Sequence, residues 1–277
     1  MGKKLSTLLC CVLFLCLSSR TEACTAWEAA GSSVEGNGTI IAKNRDYTYG
    51  EKNELKVVSV HNRYKFLAIY ANTGNKGGVN EHGLVVLSLS PPSYLENQKT
   101  EPSNSQPSFT NTWILENCRT VDETVDALKQ HNWNTHPEFL AIADRNKIAY
   151  IELGPDGRNV VKATENGILD HTNHYLDPAM GEYNPKKLGY EYKRWQKAEE
   201  QLNSKDKFTI EDIKTFTQDP IVWYKHSTVM TYASMVVNNR QDGETVVWVK
   251  IVNPGDAAFE SQFTLKDMFT GRIPLHN

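Results

Sequence analysis

Along the chain, short runs with apolar residues at every second position give way to longer runs with apolar residues three and four apart, and then return. The first kind predicts strands and the second predicts amphipathic helices. Residues 25–33 and 39–43 read as two strands joined by Val34-Glu35-Gly36-Asn37-Gly38, whose Asn-Gly pair between apolar flanks is a hairpin signal. Cys24 then starts the first strand and Asp46 lies just past the second, close in space though distant in sequence. Residues 55–61 and 64–71 form a second alternating pair around Asn62-Arg63, and the glycine-bearing stretch 77–84 turns the chain into 85–90, apolar enough to be a central strand. The pattern up to Ser90 thus holds five strands and no helix.

Residues 91–111 have no periodicity and carry Pro92, Pro102 and Pro107 after Pro91. A loop this long is either a flap over a site or a surface excursion. Helices are predicted at 112–118 and 121–131, the second with Thr120 and Glu123 spaced as a capping box. Strands follow at 139–143, 148–153 and, after the turn Gly154-Pro155-Asp156-Gly157, at 159–163. The longest helical pattern covers 184–203, with Leu188, Tyr192, Trp195 and Ala198 on its apolar face, and a shorter helix covers 209–216. Two last strands, 228–237 and 245–251, flank the turn 239–243. Strands at both ends with helices between them define a layered α+β domain in which the terminal strands share a sheet.

Ahead of all this, Lys3 and Lys4 precede ten apolar residues, 8–17, and a small residue, Ala23, stands before Cys24. This is the form of a secretory signal peptide, so residues 1–23 are read as a leader and 24–277 as one catalytic domain, secreted or periplasmic. The run is shorter than the roughly 20 residues a membrane span needs, and no later stretch is apolar for long enough, so a soluble mature chain is expected. The leader holds three of the 30 basic and one of the 33 acidic residues, which leaves 27 against 32 and a net charge of −5. Such a balance points away from nucleic acid.

Three of the five cysteines, Cys10, Cys11 and Cys16, fall in the leader, so the mature chain keeps Cys24 and Cys118. Two cysteines do not make a disulfide framework. Cys118 reads as a buried thiol on a helix, with a Cys24–Cys118 bridge as the alternative. Cut between Ala23 and Cys24, the chain would begin with a residue that bears both a thiol and an α-amino group. A free thiol titrates near about 8.5 and an α-amino group near about 7.7–8.0, so near neutral pH the amine can take the thiol proton and no histidine is needed. A nucleophile of this kind wants a carboxylate to fix its amine, for which Asp46 is placed, and fixed donors for the oxyanion, each worth roughly 3–4 kcal/mol.

Cys24-Thr25 at a mature N-terminus, followed by Lys43-Asn44-Arg45-Asp46, resembles the choloylglycine hydrolase and acyl-CoA:6-aminopenicillanate acyltransferase group of N-terminal nucleophile amidases. Asn80-Glu81-His82-Gly83-Leu84, the helix pair within 114–128 and Thr172-Asn173-His174 resemble further segments of that group in the same order. The resemblance implies an αββα sandwich of two mainly antiparallel sheets and hydrolysis of, or acyl transfer from, a linear non-peptide amide. It further implies Cys24 as nucleophile, Asp46 as holder of its amine and Asn173 as oxyanion donor, with Lys43, Asn44, Arg45 and His174 supporting. Lys43 departs from bile-salt hydrolases, which carry an arginine there; Arg45 is the alternative guanidinium, and their later arginine has no counterpart near His226-Ser227-Thr228.

Other readings stay open at this point. Cys24 could be the acylated cysteine of an exported lipoprotein, although Thr21 stands where that signal wants an aliphatic residue. His171 and His174 could suggest a metal, but without a Cys or carboxylate cluster a structural role is favoured, and neither metal nor cofactor is expected. Trp113, Trp133, Trp195 and Trp223 are read as core residues. Asn37-Gly38-Thr39 matches a glycosylation acceptor. The expected partner is a small N-acyl amide; its identity, and whether the chain forms a homo-oligomer, stay open.

Overall fold

The structure is a computed structural model that describes residues 23–92, 108–130, 133, 136–225 and 228–271. Residues 1–22 of the leader, 93–107 of the 91–111 loop, His226-Ser227 and the last residues therefore lie outside the described residues.

Two antiparallel sheets stack face to face. The first takes strands from both ends of the chain: β1 (Thr25–Ala30), β2 (Thr39–Thr48), β10 (Gly167–His171), β11 (Val229–Asn239), β12 (Thr245–Ile251) and β13 (Phe259–Thr264), ordered β10-β1-β2-β11-β12-β13. The second is a meander in sequence order of β3 (Glu54–Val58), β4 (Phe66–Ala71), β5 (Gly74–Asn80), β6 (Val85–Leu89), β7 (Glu138–Ala143), β8 (Ile148–Leu153) and β9 (Asn159–Thr164). Helices α1 (Asn111–Asn117) and α2 (Val121–Gln130) cover the second sheet, and α3 (Tyr190–Leu202) and α4 (Ile210–Thr217) cover the first. A short α5 (Leu265–Phe269) follows β13. This is the expected αββα order, with the terminal strands in one sheet.

Strand alternation produces the layers. Ala26, Ile41, Met235 and Val249 of the first sheet meet Leu67, Val79, Leu87 and Phe139 of the second. On the opposite faces, Trp27, Ala42 and Trp248 pack under Ala198, Leu202 and Ile213, while Phe66, Val86 and Ile142 pack under Ile114, Val121 and Leu128. Each fully buried Leu, Ile, Val or Phe stabilises by about 1.5–3 kcal/mol and each exposed ion pair by about 0–1, so these seams hold the layers together.

The structure differs from the sequence pattern in several places. Of the stretch 77–84 expected to turn the chain, residues 77–80 belong to strand β5 (Gly74–Asn80), and the turn itself is confined to 80–83, where Gly83 N–H donates to Asn80 O. Gly78 is possible in that strand because a Cβ there would lie 2.2 Å from Leu67 O, so the glycine permits close backbone approach. β2 runs on to Thr48 because β11 pairs along its whole length, which puts Asp46 inside a strand, opposite Thr231. Edge strand β10, and β13 with α5, carried too little apolar signal to be read. The helix expected at 184–203 begins only at Tyr190, after a 3-10 turn at Pro178–Tyr183 and Pro185. Of the tryptophans read as core, Trp133 is buried but Trp113, Trp195 and Trp223 are only partly so; Trp27 and Trp248 are the fully buried pair. Among the described residues no helix is long and apolar enough to cross a membrane.

Candidate active site

β1, β2, β10 and α3 converge at Cys24. The residue is buried at 3 % exposure in the seam between the sheets, and its thiol is free, as is that of Cys118, which lies in the outer seam under α1 and α2. Burial drives the Cys118 thiol up to about 11, so it is an inert core group. The bridged alternative is therefore not formed.

The backbone N–H of Cys24 donates to Asn173 Oδ1 at 2.6 Å. Asn173 Nδ2 donates to Ser90 O at 2.7 Å, so this one side chain ties the end of β10 to the end of β6 across the two sheets. An amide nitrogen has two hydrogens, and the second is not used by that bond. The segment 172–177 is held by the buried Glu152 carboxylate: Oε1 contacts His171 Nε2 at 2.9 Å and accepts from Leu176 N–H at 2.6 Å. His171 Nδ1 faces Thr172 O at 2.8 Å. His171 is thus a structural partner of Glu152. His174 turns away from Cys24 toward Trp195 and Tyr192, and burial pulls its imidazole down to about 4.

Asp46 accepts from Thr231 Oγ1 at 2.6 Å, and its other oxygen, Oδ2, is buried without a hydrogen-bond partner among the described residues. Burial raises its carboxyl to about 7; Arg194, the Thr231 bond, Arg45 and Lys43 all act in the opposite direction. In the uncut chain the single hydrogen on Cys24 N goes to Asn173, which leaves Asp46 Oδ2 open.

Lys43 points between the sheets, where Nζ donates to Lys76 O at 2.9 Å and to Ser88 O. Arg45 is paired with Glu51 and lies over the Tyr47 ring at 4.9 Å. Its guanidinium is therefore committed to Glu51 rather than to Cys24. Asn44 faces the helix layer instead, binding Thr217 O and Val222 O at 2.7 and 3.0 Å and so fixing the end of α4.

The guanidinium beside Cys24 comes from a residue the sequence reading passed over. Arg194 is 1 % exposed; Nη1 donates to Cys24 O and, at 2.9 Å, to Thr25 Oγ1, while Nη2 reaches Asn173 Oδ1 at 2.8 Å. A planar fork suits this task, because one group must meet three oxygens fixed on two elements. Burial works against its charge, and Asp46 is its main electrostatic support. The buried stripe of α3 is Arg194, Ala198, Gln201 and Leu202, at the i, i+4, i+7, i+8 spacing of a helix face. A stripe through Arg and Gln was the available signal, masked by the more apolar Leu188-Tyr192-Trp195 row; Tyr192 is in fact 37 % exposed.

Next to these groups is a cavity of about 440 Å³ lined by Ala23, Asn173, Arg194, Tyr190, Tyr224 and Val229, with Pro91, Pro92 and Pro185 in its walls. Of the segment read as a flap, Pro91 and Pro92 are thus at the cavity and 93–107 lie outside the described residues.

Two antiparallel sheets between helix layers, with a cysteine at the start of an inner strand, define the N-terminal nucleophile hydrolase fold. The solved structure of a Caenorhabditis elegans N-acylethanolamine-hydrolyzing acid amidase ortholog is similar to it, with a TM-score of 0.50 over 79 % of this chain and 94 % of that one at 15 % identity. Residues 33–237 match the model of the acyl-coenzyme A:6-aminopenicillanic acid acyl-transferase family, and the chain belongs to that family. No curated protein matches it in sequence. Family and fold together make it an N-terminal nucleophile enzyme of amide hydrolysis or acyl transfer.

Proposed function

We propose that this chain is an exported amidase that acts on linear amides of N-acyl compounds, with the Cys24 thiol as nucleophile once residues 1–23 are removed. The observation that carries the reading is the convergence of Asn173 and Arg194 on Cys24, with the incompletely bonded Asp46 as the main electrostatic support of Arg194, beside a cavity that Ala23 helps to line.

In this reading, cleavage between Ala23 and Cys24 turns an amide nitrogen into an amine and takes Ala23 out of the cavity wall. One of the new N–H groups keeps Asn173 Oδ1 as its acceptor, and in this reading another turns to the open Asp46 Oδ2, so that the amine is held by a buried carboxylate. The amine takes the thiol proton and the thiolate attacks the substrate carbonyl. The oxyanion accepts from the unused hydrogen of Asn173 Nδ2. Collapse returns the proton to the leaving nitrogen, releases an amine and leaves an acyl-thioester, which water hydrolyses to regenerate the thiol. Arg194 holds Cys24 O and Asn173 Oδ1 in register throughout.

The membership of an acyltransferase family favours a second reading, in which an amine in place of water takes the acyl group. N-terminal mass analysis of the exported protein, with a panel of N-acyl amides assayed on it and on Cys24→Ala, tests the proposal. A mature chain beginning at Cys24 and loss of turnover in the folded variant are expected. A diacylated or uncut Cys24, or full turnover by Cys24→Ala, rejects it.

A further inference from the structure

A second cavity, of about 500 Å³, opens on the other side of α3, where edge strands β10 and β9 of the two sheets part. Its size is that of a small-molecule site. The wall it shares with the first cavity is one residue thick in sequence: Asn173 and Arg194 face the first, His174 and Trp195 face the second.

The chemistry of this cavity is one-sided. Asp170 and Glu199 supply two carboxylates, and Trp195, Tyr150 and Tyr192 supply aromatic surface. Asp170 Oδ1 accepts from Trp195 Nε1 at 3.2 Å, but Oδ2 is buried with no hydrogen-bond partner among the described residues. The cationic side chain at the cavity is Lys162, whose Nζ stands 5.8 Å from the Tyr150 ring on an otherwise exposed residue. A lysine tethered over an aromatic ring marks where a free cation would be held.

We propose that this cavity binds a small organic ammonium ion, with Asp170 and Glu199 as its counter-charges and the Trp195 and Tyr150 rings as its walls. The ammonium hydrogens fill the open position on Asp170 Oδ2, and the carbon body replaces water against the rings. The charged and titratable groups that face Asp170 are Glu199 on α3, Lys162 on β9, Tyr150 on β8, His171 on its own strand and, from β1, Glu28. Burial and Glu199 raise the Asp170 carboxyl to about 7, so below that pH an arriving ammonium ion displaces a proton from it. Amide cleavage releases amines, so the chemistry proposed for Cys24 would itself supply ligands of this class; that link alone rests on the amidase reading.

The test is calorimetric titration of 2-phenylethylammonium into the full exported protein at pH 6 and pH 8, each in two buffers of different ionisation enthalpy. One ligand per chain and release of a proton at pH 6 but not at pH 8 are expected. Asp170→Asn is expected to weaken binding roughly tenfold or more and to abolish the proton release, as loss of a charge-assisted bond requires. Lys162→Ala, a surface change that leaves the fold alone, is expected to tighten binding by removing the competing tethered cation. Absence of binding, binding indifferent to Asp170→Asn, or preference for 3-phenylpropionate with weakening in Lys162→Ala overturns the proposal.

Discussion

Arg194 and Asn173, on different elements, share one contact: Nη2 of the arginine donates to Oδ1 of the asparagine at 2.8 Å, on the same oxygen that receives the Cys24 N–H. The asparagine is thereby fixed as acceptor on one side and donor on the other. Its amide cannot rotate without losing a buried charge-assisted bond, worth about 1.5–3 kcal/mol.

Arg194→Lys is expected to keep a positive charge at the site and lose the fork. An ammonium cannot meet Cys24 O, Thr25 Oγ1 and Asn173 Oδ1 in that geometry. Turnover is expected to fall about 100-fold, the scale of a 1 Å misplacement of a catalytic group. Steady-state kinetics beside a thermal unfolding scan checks this, and unchanged turnover in Arg194→Lys would show that charge alone suffices.

Asn173→Asp separates the two roles of that residue. The substituted side chain retains an oxygen for Cys24 N–H and Arg194 but loses the N–H₂. If Asn173 is the oxyanion donor, kcat drops by about 10²–10³ while substrate binding changes little. Loss of the Ser90 bond is expected to lower stability in both Asn173→Asp and Asn173→Ala, so the comparison rests on kcat in folded protein.

Stability is expected to be higher at pH 5 than at pH 7. Asp46 and Asp170 are raised to about 7, and Glu28 well above its usual range, chiefly by burial. Raised carboxyls are protonated in the folded state while the unfolded chain has lost those protons, so their contribution is complete below about pH 4 and is lost as pH rises through 7. His174, held down to about 4, acts oppositely, its contribution being lost as pH falls from 6.5. Three groups oppose one, and each excess proton is worth about 1.4 kcal/mol per pH unit. Urea unfolding at the two pH values decides it. A protein that retains Ala23 is expected to show the steeper dependence, because the Cys24 ammonium of the processed chain would bring Asp46 back down; equal slopes would mean that the amine does not reach Asp46.

How much of this was legible in the sequence depends on the range of the interaction. The helix pair and the paired strands at the chain end are local patterns, and they stand where their periodicity put them; the first hairpin does too as far as Lys43, beyond which β2 is extended by its pairing with β11. Glycine-rich β5 and edge strand β10 were invisible because their pairing partners, not their own residues, make them strands. Cys24, Asp46 and Asn173 could be named from short motifs, and the fold brings all three around Arg194. That arginine could not be reached from a motif: its helix packs on β1 from 170 residues away, and its one local signal, the stripe it shares with Ala198, Gln201 and Leu202, is weaker than the apolar row beside it. Asn44 and His174 illustrate the converse, since each adjoins a residue of the site while its own side chain serves a different seam.

Glu28 gives the sharpest test of the energetics. It lies on β1 opposite Ile41 and Leu169 and is fully buried; among the described residues neither carboxyl oxygen makes a well-formed hydrogen bond, and the nearby Ala149 backbone N–H offsets its burial only in part. A buried polar group in that state costs about 1–3 kcal/mol, and here the nearby Asp170 adds to the cost of ionising it. Glu28→Met keeps the length of the side chain and removes the polar atoms. Its expected effect is a gain of about 1–3 kcal/mol at pH 7.5, or roughly 2–4 °C in Tm for each kcal/mol gained in a chain of this size. Because the wild-type carboxyl is more readily kept neutral in acid, the gain is expected to shrink toward pH 5. Differential scanning calorimetry at both pH values measures it. A lower Tm in Glu28→Met at pH 7.5 would mean that the carboxyl has a stabilising partner, and that its burial between the sheets serves something other than packing.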